Sequence, residues 1–446
     1  MSGRNHGNGR GRADGDHRAD GGRTNGSSRT NGSSRTGGGG GTRDGSRTNG
    51  SGGTGSGNRT NGSSGTGRRA ASPAGPRYAI VIPTLGRPSL DACLRALAEG
   101  EGPRPARIVL VDDRRLEDCT PLSVTVPAPL LDLVEIVSGC ARGPAAARNT
   151  GWRSVSEPWI AFLDDDVLPG PTWARDLAAD LTAAGPETAA VQGRIFVPLP
   201  TDRRPTDWER NTAGLASAQW ITADMAYRRA ALEAVGGFDE RFPRAFREDA
   251  DLALRVVDAG WAIGTGDRRT THPVRPTDRW VSLRTQAGNA DDVLMNRVHG
   301  RDWWHRAGAP RGRLPRHLAV TAAGVAALAL AAAGRPRAAA GCAGLWLGGT
   351  AEFAWARIAP GPRTSDEIAT MAATSALIPP AATLHWLRGL FRHRRAGAWQ
   401  APAQVSAQVS AVGEGREEQH GRRPGPEAPV ETPAVPRTTV SLPVLE

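Results

Sequence analysis

Between residues 77 and 300, short apolar runs alternate with longer amphipathic stretches. Tyr78–Pro83, Ile108–Val111, Leu133–Val137, Trp159–Leu163 and Ala190–Val197 have strand length and are enriched in β-branched and aromatic residues. Ser89–Leu97, Ala145–Val155 and Thr172–Ala183 fall between them with helical spacing. Strands alternating with helices of this size predict an α/β fold, a mainly parallel sheet flanked by helices on both faces. Ligands of such sheets bind beyond the carboxyl ends of the strands. The residues that follow each strand are therefore the first candidates for chemistry.

The pattern changes on either side of this region. Residues 1–76 are rich in Gly, Ser, Thr, Asn and Arg, and Arg-Thr-Asn-Gly-Ser-Ser recurs from Arg23, Arg29 and Arg59. With almost no apolar side chain to bury, this segment is expected to be disordered. After residue 314 the chain turns apolar. Leu318–Gly334 has no charge, Ala338–Trp355 has only Glu352, and Ile368–Leu387 has no acid or Arg but contains Pro379-Pro380. Each is close to the length of a membrane span. Flanking arginines (Arg311–Arg316, Arg388–Arg395) and Trp346, Trp355 and Trp386 suit an interface. Membrane-associated helices over 314–395 are expected, with a buried Ala-rich subdomain as the alternative. Residues 396–446 read as a second disordered tail.

Charge alters this picture less than its size suggests. The chain carries 56 basic and 45 acidic residues, a formal +11. Residues 1–77 hold 13 Arg and 4 Asp, a net +9, which leaves only +2 for the rest. A nucleic-acid partner for the folded part is not expected. Lysine is absent, so Schiff-base chemistry and a Walker A lysine are excluded. Phosphate would have to be held by Arg, backbone N–H groups, helix termini or a metal. Cys93, Cys119, Cys140 and Cys342 show no CxxC spacing, which points to free thiols rather than a zinc or redox motif. The first 70 residues show no apolar run of signal-peptide type.

Five segments could carry chemistry. The first strand opens into Pro83-Thr84-Leu85-Gly86-Arg87, and the second ends at Asp112-Asp113. Gly143–Gly151 is a small-residue helix start that would let an anion approach backbone N–H groups. Arg148 lies one turn in, as a diphosphate contact or a surface arginine. The fourth segment says most: Trp159–Leu163 runs straight into Asp164-Asp165-Asp166. Three carboxylates so close repel one another unless a cation neutralises them, and hard oxygen ligands suit Mg²⁺ or Mn²⁺. The fifth, Glu248-Asp249-Ala250-Asp251, opens an amphipathic helix. Acids there suit the helix dipole, or one could act as general base.

In this order and spacing the set resembles the nucleotide-sugar-binding domain of family-2 glycosyltransferases, which have the GT-A fold, over about 77–275. Thr222–Arg229 and Gly236–Glu240 look like the family's acceptor-side segment. The resemblance implies an inverting transfer from a nucleotide-diphosphate sugar. It implies that Pro83, Thr84 and Asp113 contact base and ribose, and that Arg148, Asp164 and Asp165 belong to the donor site. Asp164 and Asp166 would form a DxD pair, with His272 near the metal or diphosphate, and Asp249 would be the general base. Processive members carry Gln-x-x-Arg-Trp after the catalytic acid. Thr277-Asp278-Arg279-Trp280 keeps only Arg-Trp, which favours single addition. Membrane tethering suggests a cell-envelope or lipid-linked glycan acceptor, with the catalytic domain on the cytoplasmic side. The rivals are a noncatalytic membrane scaffold and a sugar-nucleotide pyrophosphorylase, whose Gly-rich first loop is missing.

Overall fold

The computed structural model describes residues 75–115 and 120–401. The N-terminal repeat, nearly all of the C-terminal tail and Cys119 lie outside the described residues. The first half contains β1 (Tyr78–Thr84), α1 (Ser89–Glu99), β2 (Arg107–Asp112), β3 (Val134–Ser138), α2 (Pro144–Ser154), β4 (Trp159–Leu163), β5 (Leu168–Pro169), α3 (Trp173–Ala183) and β6 (Thr188–Phe196). Then come α4 (Asp207–Ala213), β7 (Asp224–Arg228), α5 (Arg229–Val235), α6 (Glu248–Asp258), β8 (Ala262–Thr271), α7 (Val281–Arg284), α8 (Asn289–His299) and α9 (Trp303–Arg306). Three long helices follow: α10 (Leu314–Ala332), α11 (Pro336–Ile358) and α12 (Ser365–Arg392).

The eight strands form one sheet in the order β3-β2-β1-β4-β7-β6-β8-β5. β1, β2, β3 and β4 run parallel, as do β6 and β8. β7 runs against both of its neighbours, and β5 runs against β8, so the sheet is mixed. Strand alternation sorts side chains between two helical layers. Tyr78, Ile80 and Ile82 of β1 pack with Leu90, Cys93 and Leu94 of α1 and with Trp173 and Leu177 of α3. Ala79 and Val81 face the other layer, with Ala147 and Trp152 of α2 and Leu252 and Val256 of α6. Both faces of β1 are covered, which is why its sequence is a continuous apolar run. α2 sits very close to the sheet: a Cβ on Gly151 would lie 2.3 Å from Val81 Cγ1.

The three C-terminal apolar segments are helical, as their composition predicts. Among the described residues only α10 is long and apolar enough to cross a membrane. α12 has a different environment. Near its start Glu367 Oε1 accepts from the backbone N–H of Asp207 at 3.0 Å. Near its end a Cβ on Gly389 would lie 2.8 Å from Ala290 Cα of α8. Between these points α12 packs on α7 and α8, and on its other side against α10 and α11. α12 therefore lies along the α/β domain over most of its length. Arg357 at the end of α11 is buried, donating to Asp207 Oδ2 and Thr374 Oγ1 at 2.8 and 2.7 Å. That buried polar contact explains why the segment departs from a purely apolar span.

Candidate active site

The parallel register places the ends of β1, β2 and β4 side by side, with Thr84 opposite Asp112. Three loops meet there. Asp165 is buried and faces the first of them: it accepts from Thr84 Oγ1 at 2.7 Å and from Arg87 Nη1 at 2.8 Å. Asp113 accepts from the backbone N–H groups of Arg142 and Gly143 at 3.0 and 2.9 Å. Burial raises its carboxyl, and those two N–H groups work against that shift. Asp113 thereby pins the turn that starts α2. Pro83 sits beside Val111 at the end of β1 and contributes backbone shape.

Asp164 and Asp166 point elsewhere. Their carboxylate oxygens and a ring nitrogen of His272 lie within 4.8 Å of one another. His272 is brought there by β5, whose Leu168 pairs with Thr271 at the end of β8. Its Nδ1 faces Pro273 O at 3.2 Å, and its Nε2 faces Asp166 Oδ1 at 3.8 Å. With a proton on Nδ1 toward that carbonyl, Nε2 would be available as a ligand atom. Burial, and then the charge of Asp164, push the Asp166 carboxyl up. Two hard oxygens and one imidazole are a donor set that fits a divalent cation, with Arg148 and Arg275 as the present counter-charges of the two carboxylates. Arg275 Nε, 2.8 Å from Asp166 Oδ2, is a neighbour that the spacing of motifs did not reveal.

Arg148 is neither on the surface nor free. It is buried, with Nη2 on Asp164 Oδ1 and Nη1 on Glu248 Oε1, both at 2.8 Å. One guanidinium thus ties the acid cluster of β4 to the first turn of α6, where Asp249 stands. Asp249 is raised mainly by burial, which Arg148 opposes. Glu248 is pushed up to about 8 by burial and by the charge of Asp249, against the pull of Arg148. The helix entry is held in an uncommon backbone conformation. Arg247, just before Glu248, has φ of 79°, costing about 1–3 kcal/mol for a residue with a Cβ. Its guanidinium is fixed by Asp292 at 2.8 Å and by the rings of Phe246 and Trp303.

Two buried hubs brace this arrangement. Asn149 uses its amide fully: it donates to Phe238 O and Glu240 Oε1 and accepts from Phe238 N–H and Trp152 Nε1, all at 2.9 Å. Asp224 accepts from Trp173 Nε1, Arg268 Nε and Thr270 Oγ1 at 2.6–2.7 Å. It lies opposite Leu163 in the β4–β7 pairing and fixes β8 relative to the acid turn. The three described cysteines are free, and Cys93 is buried with its thiol pushed up by that burial.

The sheet thus gathers Asp164, Asp166 and His272 at one strand end, and Arg148 links them to the acidic first turn of α6. Residues 79–239 match the family described as Glycosyl transferase family 2. Over 204 residues it is 29% identical to a pre-mycofactocin glycosyltransferase of Mycobacterium tuberculosis, covering 42% of this chain and 41% of that one. The chain thus spans about two-fifths of that relative's length. It is 23% identical over 246 residues to the glycosyltransferase AglE of Haloferax volcanii, covering 51% of this chain and 80% of that one. Among solved structures, a mannosyltransferase of Pyrobaculum calidifontis in complex with GDP-Man and Mn²⁺ is 19% identical with a TM-score of 0.38. That match covers 72% of this chain and 88% of the other.

Proposed function

We propose that this protein is an inverting glycosyltransferase that moves a sugar from a nucleotide-diphosphate sugar to an acceptor hydroxyl. The observation that carries the reading is the Arg148 bridge, which sets Asp249 against the Asp164–Asp166–His272 cluster. Asp164, Asp166 and His272 would hold Mg²⁺ or Mn²⁺. When bound, such an ion supplies positive charge to the departing diphosphate. Pro83, Thr84 and Asp113 line the edge for base and ribose, with Asp165 shaping the Thr84–Arg87 loop. Arg148, Asp164 and Asp165 make up the rest of the donor site. Asp249 takes the proton of the acceptor hydroxyl, and that oxygen forms the new bond to the anomeric carbon. The bond from that carbon to the diphosphate oxygen breaks with inversion, and the nucleoside diphosphate leaves. The acceptor class we assign is a cell-envelope or lipid-linked glycan, met at the membrane with the catalytic domain on the cytoplasmic side.

Calorimetric titration of UDP, GDP and TDP with Mn²⁺ tests the donor half. One nucleotide is expected to bind only when Mn²⁺ is present. Asp166→Ala is expected to weaken that binding by about 100-fold. Wild-type affinity in Asp166→Ala, or binding indifferent to Mn²⁺, would count against the site.

Acidity gives a second test. The base works only when deprotonated, and burial raises Asp249 above the ordinary carboxylate value. The acid limb of the kcat/KM profile should therefore fall at a pH above about 4, the range of an unperturbed Asp. A limb at or below that value would show that the base is a solvated carboxylate.

A further inference from the structure

We propose that the groove between α8 and α12 binds the head-group phosphate of an anionic membrane lipid. The groove has a volume of about 630 Å³, and Arg244, Arg388 and Arg392 line it together with Ala290, Leu387 and Phe391. The nearby carboxylates already have partners, Asp292 being engaged by Arg247. Asp291 is already engaged by Arg244 at 2.5 Å and is within electrostatic reach of Arg392. Among the described residues Arg388 and Arg392 form no ion pair, so the groove holds surplus positive charge. Guanidinium forks match phosphate geometry.

The apolar part of the groove selects a lipid over a soluble anion. Leu387 and Phe391 are 50% and 71% exposed on the same turns of α12 that carry the two arginines. Exposed apolar side chains beside arginines are the composition of an interfacial helix. α12 packs against α10, the bilayer-length helix, on which Val325 and Leu328 are 62% and 75% exposed. α12 itself is occupied by the α/β domain from Glu367 to Gly389, so the groove opens where domain and apolar helices meet. A phosphate there would lie level with a head group while acyl chains met Leu387 and Phe391. Arg244 belongs to the loop that leads into Glu248 and Asp249, which places the contact next to the proposed acceptor side.

This inference rests on the membrane part of the proposed function and is independent of sugar transfer. The test is flotation of the full chain with vesicles of phosphatidylcholine alone or mixed with phosphatidylglycerol. Wild-type protein is expected to prefer the anionic vesicles. Arg388→Gln/Arg392→Gln should lose about 25-fold in affinity for them, about fivefold for each arginine. Arg388→Lys/Arg392→Lys should keep most of the binding, and Arg95→Gln/Arg107→Gln, a charge-matched change on α1 and β2, should keep nearly all. Thermal unfolding of each variant should match wild type. Equal binding by the groove variant, or an equal loss in the α1/β2 control, would overturn the proposal. So would displacement from vesicles by millimolar inorganic phosphate, which would mark a site for a soluble anion. Mn²⁺-dependent nucleotide binding is expected to be the same in all these variants, so failure here leaves the transferase reading standing.

Discussion

Asp249→Asn is expected to lower the rate of sugar transfer by about 10²–10⁴-fold while donor affinity stays within about twofold, the pattern of a lost general base. The split follows from geometry. Asp249 stands in the first turn of α6, and the donor-side acids stand at the end of β4. The amide fills the same space and the Arg148 bridge runs through Glu248, so the substitution removes the proton acceptor and leaves the donor site assembled. Steady-state rates together with calorimetric donor binding separate the two effects. Full activity in Asp249→Asn would move the base to another group.

Arg148→Met is expected to destabilise the fold by about 3–5 kcal/mol above pH 8, where Glu248 ionises and would stand buried without its counter-charge. A denaturant titration reads this as a lower midpoint. The loss should depend on pH. Burial raises Glu248 to about 8, against an unfolded value near 4.3. Between those values the folded state binds more protons than the unfolded state, so stability falls as pH rises through that window. Without Arg148 the folded value should climb further, and the variant should be nearest to wild type in mild acid. A midpoint unchanged above pH 8 would mean that the bridge carries little energy.

Much of this site was legible in the order of residues, because strand ends announce themselves. A short apolar run covered on both faces gives way to polar residues where the strand leaves the sheet, so Asp164–Asp166 fall at the carboxyl end of β4. The helix opened by Glu248-Asp249 was legible from its amphipathic spacing. The division of labour within the acid triplet was not. Asp165 turns back to Thr84 and Arg87, while Asp164 and Asp166 turn to His272. Side-chain direction at a strand end depends on loop geometry, which spacing does not carry. Arg148 was visible as a candidate, but its bridge to Glu248 joins residues far apart in the chain. β5 is two residues long and leaves no periodic trace, yet its pairing with β8 positions His272. The same limit applies to α12. Its composition allowed a membrane helix, and only the contacts from Glu367 to Gly389 show it lying on the α/β domain.

Sugar transfer that depends on a metal held by Asp164, Asp166 and His272 should be visible in turnover itself. The most direct measurement is nucleoside diphosphate release from a panel of UDP-, GDP- and TDP-sugars, with membranes supplying acceptor and with Mn²⁺ or EDTA present. Turnover of one donor class that EDTA abolishes and Mn²⁺ restores is expected. Turnover unaffected by EDTA, or no turnover with any donor, would contradict that expectation.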